Sequence, residues 1–336
     1  MTSVWLGQRM SVLPIWAQTG FLLSDVGCAR PWYQHKFPLR PFPFGMRTFA
    51  FLVIRKYSMS EITIESAVCS IKEMIEQAIR DGGDEGKNNL IRSQQPICML
   101  HDAAKSAFIH NGVNPTRIRP LLGEHLDELK LAGFFKCKDQ DICFLPNHIK
   151  GQREFLQFDG ILKGKLDQFG TELTEHILSV NVRSQLSSIA KNFDTLYERT
   201  FAEALNLHLR CEKMVLGEFY MIPVQEYDDV EAKNNRIAFK VNKSVQKHIE
   251  KYLYSFSAVN NRRSLLGEEY KYERVCLLIV DFNRDIPVIY NTDDELKAAG
   301  LLPENSKASI NEMNFPSFAP TLMRLYEERF GLDRFI

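Results

Sequence analysis

Two largely apolar runs, VLGEFYMIPV at 215–224 and VCLLIV at 275–280, constrain the fold more than any other feature of the chain. Each has the length of a strand and the β-branched and aromatic content of one, so each reads as a buried strand. Ahead of the first run lies a helical pattern. Asn192 serves as its N-cap, and Phe193, Leu196, Tyr197, Phe201, Ala204 and Leu205 share a face that ends near Arg210. Helix and buried strands in this order define an α/β chain. With 336 residues, 45% of them hydrophobic and 25% charged, there is enough material for one large or two moderate domains, and collagen-like, low-complexity and wholly disordered readings are excluded. No stretch approaches the ~18 consecutive apolar residues of a spanning helix.

The formal net charge of zero hides an asymmetry: residues 1–58 carry +6 and the remainder −6. The front segment also holds all three tryptophans and the cluster Pro38, Pro41 and Pro43, with no sustained periodicity. Three readings compete for it. A transit peptide would be Arg-rich and acid-poor as this is, but the prolines and tryptophans oppose an amphipathic helix. A secretory signal needs an apolar run, and 7–16 is too broken. The third reading makes Met59 the start and everything before it translated upstream sequence. Residues 1–58 are therefore expected to be a disordered or non-native extension outside the functional argument. Seven cysteines without paired spacing, an odd number, suggest a reducing compartment and hence the cytoplasm.

From Ser60 the texture is that of a folded protein. Ile64, Val68, Ile71, Ile75 and Ile79 recur at helical spacing, and DGGDEGKNN at 81–89 reads as a glycine-rich loop. Ile97, Leu100, Ala104 and Phe108 give a second helical face, and 115–131 supplies a further helical stretch ending at Gly133. Residues 134–138 and 141–145 read as two strands joined by Asp139-Gln140. Helix, helix, hairpin is the outline of a winged-helix module, which resembles many DNA readers; a helical cap with an incidental hairpin has the same outline. The division expected is a helical, winged-helix-like DNA-recognition domain at 59–150 and a catalytic domain at 151–336.

The polar residues of the second part are the informative ones. FLQFDGIL at 155–162 reads as a short apolar strand interrupted by Asp159; the short glycine spacing after it, with Leu166 where a hydroxyl would be needed, excludes a phosphate-binding loop. In LSVNVRSQ at 178–185, alternation sends Leu178, Val180 and Val182 to the core and Ser179, Asn181, Arg183 and Gln185 to the other face. Glu198 lies at the edge of the following helix's apolar face.

Asp159, then Asn181-Val182-Arg183-Ser184-Gln185, then Lys191-Asn192, then Glu198-Arg199 and a Leu-Gly apolar strand: this order resembles the core of type II restriction endonucleases of the PD-(D/E)XK nuclease superfamily. The resemblance covers roughly the last half of the chain in element order and these few residues in identity. It implies an α/β, restriction-endonuclease-like mixed sheet flanked by helices, and hydrolysis of phosphodiester bonds in double-stranded DNA with Mg²⁺. Asp159 and Glu198 would then be the metal carboxylates, Asn181 an auxiliary ligand, and Arg183 and Gln185 the groups at the scissile phosphate and the attacking water. Asn181 stands at the family's acid position and Arg183 at its lysine position. An amide oxygen can serve a hard cation without charge, and a guanidinium stabilises a phosphorane but does not act as a base. The resemblance further implies a homodimer and a cognate DNA methyltransferase encoded nearby.

Lys243, Lys247 and Lys251 fall at i, i+4 and i+8, with Arg262 and Arg263 beyond them, a candidate phosphate clamp as well as an ordinary solvated face. The literal Glu231-Ala232-Lys233 lies in a charged stretch that reads as a loop. Cys137, Cys143 and His148 lack the spacing of a metal knuckle. The reading from another class is a non-catalytic DNA-binding regulator that uses the winged element and the lysine face.

Overall fold

The computed structural model describes residues 62–241 and 243–331. The expectations for 1–58 lie outside the described residues. The chain opens with α1 (Ile64–Arg92), whose Thr63 N-cap forms a capping box with Ser66, and α2 (Gln95–His110). The isoleucine stripe of α1 is buried as the spacing predicts. The loop expected at 81–89 is helical instead. The only break is at Gly83, with φ +61°, where a Cβ would lie 2.9 Å from the Ala232 carbonyl oxygen.

The helix expected over 115–131 does not form. A 3₁₀ turn at Pro115–Arg117 leads into β1 (Ile118–Arg119) and a loop, then β2 (Leu129–Ala132), β3 (Cys137–Gln140) and β4 (Ile142–Phe144). Nor do the two strands expected as a wing pair with each other. β3 pairs with β2 in a two-stranded sheet, whereas β4 joins the central sheet between β1 and a later strand. The reason is burial: all three residues of β4 are apolar and enclosed, and β3 is Cys-Lys-Asp-Gln with one enclosed residue.

The remaining elements are β5 (Glu154–Phe155), β6 (Leu166–Asp167), α3 (Gly170–Glu175), β7 (Leu178–Ser184), α4 (Ile189–His208), β8 (Val215–Pro223), α5 (Asp229–Lys233), α6 (Val245–Ala258), β9 (Arg274–Asp281), β10 (Val288–Tyr290), α7 (Asp293–Ala298) and α8 (Phe315–Phe330). The six-stranded sheet runs β1-β4-β7-β8-β9-β10, with β7, β8 and β9 parallel and the outer pairings antiparallel. It is thus the mixed sheet flanked by helices that the sequence suggests, and it draws strands from both sides of residue 150.

Both apolar runs are buried along their whole length because helices cover both faces. Val215, Phe219, Met221, Cys276, Leu278 and Val280 pack with α1, α2 and α8, while Leu216, Tyr220, Ile222, Val275, Leu277 and Ile279 pack with α4 and α6. β7 obeys the same alternation: Leu178, Val180 and Val182 join the first core, so its polar row faces the α4 side. Among the described residues no helix is long and apolar enough to cross a membrane.

Candidate functional site

The polar row of β7 is not a water-facing row. Ser179, Asn181 and Gln185 are buried, and Arg183 is nearly so. Gln185 serves packing: its Oε1 accepts from the hydroxyls of Tyr220 at 2.8 Å and Tyr252 at 2.5 Å, and its Nε2 donates to the Ser188 and Ile189 carbonyls. Those bonds hold the start of α4, which lies three residues before the expected cap at Asn192. With every polar atom engaged, Gln185 has no capacity left for a phosphate or water, and its expected role is corrected on that ground.

Asn181 and Arg183 sit in a buried ionic cluster. Arg183 donates to Glu203 on α4, to Glu218 on β8 and, at 2.9 Å, to the Thr200 hydroxyl. Lys138 on β3 reaches Glu203 at 2.6 Å and the Asn181 amide oxygen at 3.3 Å. Asp141, in the single residue between β3 and β4, accepts from the Val182 amide at 2.7 Å. Tyr272 donates to the Thr200 carbonyl at 2.8 Å and accepts from Asn181. Sheet register makes this possible: Glu218 is the β8 partner of Asn181, and the antiparallel pairing of Ile142 with Val180 brings Asp141 level with Asn181, next to the Val182 amide. Asn206 of α4 places Lys138 by accepting from the Phe135 and Lys136 amides in the turn before β3.

The electrostatics are uneven. Burial pushes Glu218 up to about 7, against the pull of Arg183, with Glu203 adding repulsion. One of its oxygens, Oε2, has no hydrogen-bond partner within the protein. Burial also raises Asp141, with Lys138 opposing. Glu203 moves the other way: burial acts to raise it, but Arg183 and Lys138 outweigh that and hold it low. Lys138, Arg183 and Glu203 keep side-chain exposures of 23%, 17% and 11%, while Glu218 is at 0%, so the cluster opens to solvent on its Lys138 side.

The expected carboxylates lie elsewhere. Asp159 is in the turn between β5 and β6, with 91% of its side chain exposed and Lys163 as its partner. The strand expected at 155–162 is reduced to Glu154–Phe155 in a separate two-stranded sheet. Glu198 is exposed on α4, and no hydrogen bond or ion pair joins it to Asp159. The pair therefore does not form the predicted metal centre. Nor does the buried cluster fit a divalent cation as it stands. Its oxygen donors are hard ones of the right kind, but no three His, Cys, Asp or Glu side chains among the described residues converge as ligands, and Lys138 and Arg183 already hold the carboxylates.

Of the basic residues, Arg262 is buried, bonded to Glu273 and to the Glu212 and Leu265 carbonyls, and so is not a DNA contact. Lys251 pairs with Asp194 and lies 3.8 Å above the Phe193 ring. Lys243, just ahead of α6, Lys247 and Arg263 are exposed. Glu231-Ala232-Lys233 forms α5, capped by Asp228, and is no strand motif. A cavity of about 280 Å³ lies past the end of β8, lined in part by Ile189, Glu226, Lys240, His248 and Tyr252; Glu226 and Lys240 pair with each other at 3.0 Å.

Sequence reasoning missed Lys138, Asp141, Glu203 and Glu218. Glu218 had a visible signal, a lone acid inside an apolar run, and Asp141 another, an acid directly before Ile142-Cys143-Phe144. Glu203 falls with Thr200 and Leu207 on the inner side of α4, at i+3 and i+7 from Thr200, whereas Glu198 does not. Comparison with protein-family models, curated proteins and solved structures finds no match.

Proposed function

We propose that the protein is a nuclease that hydrolyses phosphodiester bonds in double-stranded DNA, with its reaction centre in the cluster of Lys138, Asp141, Arg183, Glu203 and Glu218. One observation carries the reading. An acid preceding a strand, the Asn181-Val182-Arg183 row on the adjacent strand and an acid on the helix that follows come together in the chain order the resemblance implies, with Asp141 and Glu203 in place of Asp159 and Glu198. Chemically, Lys138 and Arg183 supply fixed positive charge for a phosphate entering from the Lys138 side and for the charge that develops in the transition state. Asp141, raised by burial, is suited to accept a proton from an attacking water. No step is assigned to Mg²⁺, because the donors present do not converge on one position. A symmetric double-strand cut would call for two copies of the chain and a protecting methyltransferase for the host's own sites.

The test is cleavage of plasmid DNA by the full chain, with Mg²⁺ and with EDTA. Asp141→Asn and Glu203→Gln are expected to lower cleavage by at least about 100-fold while DNA binding persists, and Asp159→Ala and Glu198→Ala to leave it within about twofold. Full cleavage by Asp141→Asn would remove this centre. Salt-dependent DNA affinity with no cleavage under either condition would favour the second reading, a non-catalytic DNA-binding regulator, which the saturated ion pairs of Lys138 and Arg183 support.

A further inference from the structure

The cavity past the end of β8 shares no lining residue with the ionic cluster, and its walls have a chemistry of their own. Its floor is buried and apolar: Ile222 and Val224 at the carboxyl end of β8, and Ile249 and Tyr252 on α6. The Tyr252 hydroxyl is committed to Gln185 at 2.5 Å, so Tyr252 offers the cavity its ring. Around the mouth stand the exposed Ala190 and Val241 and the partly exposed Lys240 and His248. With about 280 Å³ the space falls just short of the ~300–1,000 Å³ of drug-sized pockets, so an occupant has to be small.

The polar groups at the mouth come in both signs. The helices α4 and α6 both begin beside the cavity, and their amino ends favour negative charge. Ser188 does not cap α4 with its side chain; Glu226 does so from outside the helix, its Oε1 accepting from the Ile189 amide at 2.8 Å. Lys240 lies 3.0 Å from Glu226 Oε2 and 2.7 Å from Asp229 Oδ2, Asp229 meets Lys87 at 2.5 Å, and Lys87 meets Asp84 at 2.8 Å. Acid and base alternate along this chain, which holds three acids and two bases and ends on Glu226 at the cavity. One negative charge is therefore left over at that end, and each Glu226 oxygen keeps a second lone pair. Burial acts to lower Lys240, but its bonds to Asp229 and Glu226 outweigh that and keep it an ammonium. Among the described residues it spends two of its three hydrogens on these acids, which leaves one for an incoming anion.

An acid in excess, a cation with a hydrogen to spare beside two helix amino ends, and an apolar floor call for a ligand with an ammonium, a carboxylate and a short apolar body. We propose that this cavity binds a free α-amino acid with an apolar side chain. Its ammonium meets Glu226, its carboxylate meets Lys240 and the amino ends of α4 and α6, and its side chain lies against Ile222, Val224, Ile249 and Tyr252. Charges of opposite sign then alternate around the mouth, and no charge is buried unpaired.

The experiment is titration of the full chain with L-leucine, L-isoleucine, L-methionine and L-phenylalanine, read by calorimetry and by the rise in thermal denaturation midpoint. Each is compared with its N-acetyl derivative, which lacks the ammonium, and its decarboxylated amine. At least one of the four is expected to bind with a dissociation constant below about 1 mM, and both of its analogues at least about tenfold more weakly, since each forfeits a charge-assisted bond. Glu226→Gln keeps an acceptor for the Ile189 amide and removes the charge, so it should weaken the amino acid by about tenfold or more. Ala190→Trp, at the exposed mouth, should abolish binding and leave the midpoint of the ligand-free chain unchanged. No binding by any of the four, an N-acetyl or amine analogue that binds as tightly as its parent, or full affinity in a folded Glu226→Gln or Ala190→Trp variant overturns the proposal.

Discussion

Glu218 is the residue on which the buried cluster turns. Its carboxyl is at 0% exposure, one oxygen bonded to Arg183 and the other to nothing in the protein, and burial lifts it to about 7 from an ordinary 4.5. Below pH 4.5 the group is protonated in both folded and unfolded chains, and its contribution to stability is fully present. As pH rises, the unfolded chain ionises first, so that contribution is lost progressively up to and through pH 7. Glu218→Gln carries no such loss. The unfolding free energy of the unmodified chain relative to Glu218→Gln is therefore expected to fall by on the order of 3 kcal/mol between pH 4.5 and 8, measured by urea denaturation at a series of pH values. A difference that stays flat would mean that Glu218 ionises normally. At this scale the sequence already held one clue, since a single acid in VLGEFYMIPV has to be accommodated somewhere. What it could not show was the identity of the partner, because Arg183 lies 35 positions earlier and reaches Glu218 only across the strand pairing.

The elements were legible wherever a periodic apolar pattern was long. The isoleucine stripe of α1, the face of α4 and the continuous runs of β8 and β9 formed as their spacing predicts, since each buries its apolar side against a neighbour. Short and polar segments misled. Residues 81–89, rich in glycine and charge, are helical because Lys87 turns inward to pair with Asp84 and Asp229, and because Gly83 lets α1 approach α5 closely. Gly83→Ala would place a Cβ 2.9 Å from the Ala232 carbonyl at a φ of +61°. It is expected to destabilise the fold by about 1–3 kcal/mol, a loss readable in the denaturation midpoint. A neutral result would show that the α1–α5 contact relaxes freely. The misplaced acid Asp159 has the same origin: FLQFDGIL looks apolar enough for a strand, yet its cross-strand bonding stops at Leu156, which bonds to Gly164 and Lys165, and the chain then turns and leaves Asp159 in solvent.

For the molecule as a whole, the expected division at 150/151 separates strands that share one sheet. β1 and β4 precede it, and α1 and α2 cover the face of β7 that carries Leu178, Val180 and Val182. A fragment of residues 151–336 would leave that face uncovered and is expected to show neither a cooperative unfolding transition nor amide protection in β7 by hydrogen exchange. A stable fragment would instead support two independent domains. The fold class, the buried strands and the main helices could be read before any coordinates, because hydrophobic periodicity is local and each long amphipathic segment declares which side it must bury. Which acids meet which cations, the parallel pairing of β7, β8 and β9, and the parting of β3 and β4 into different sheets emerge from the assembled fold. The partners in those contacts come from distant segments, and they meet only once the sheet register is set.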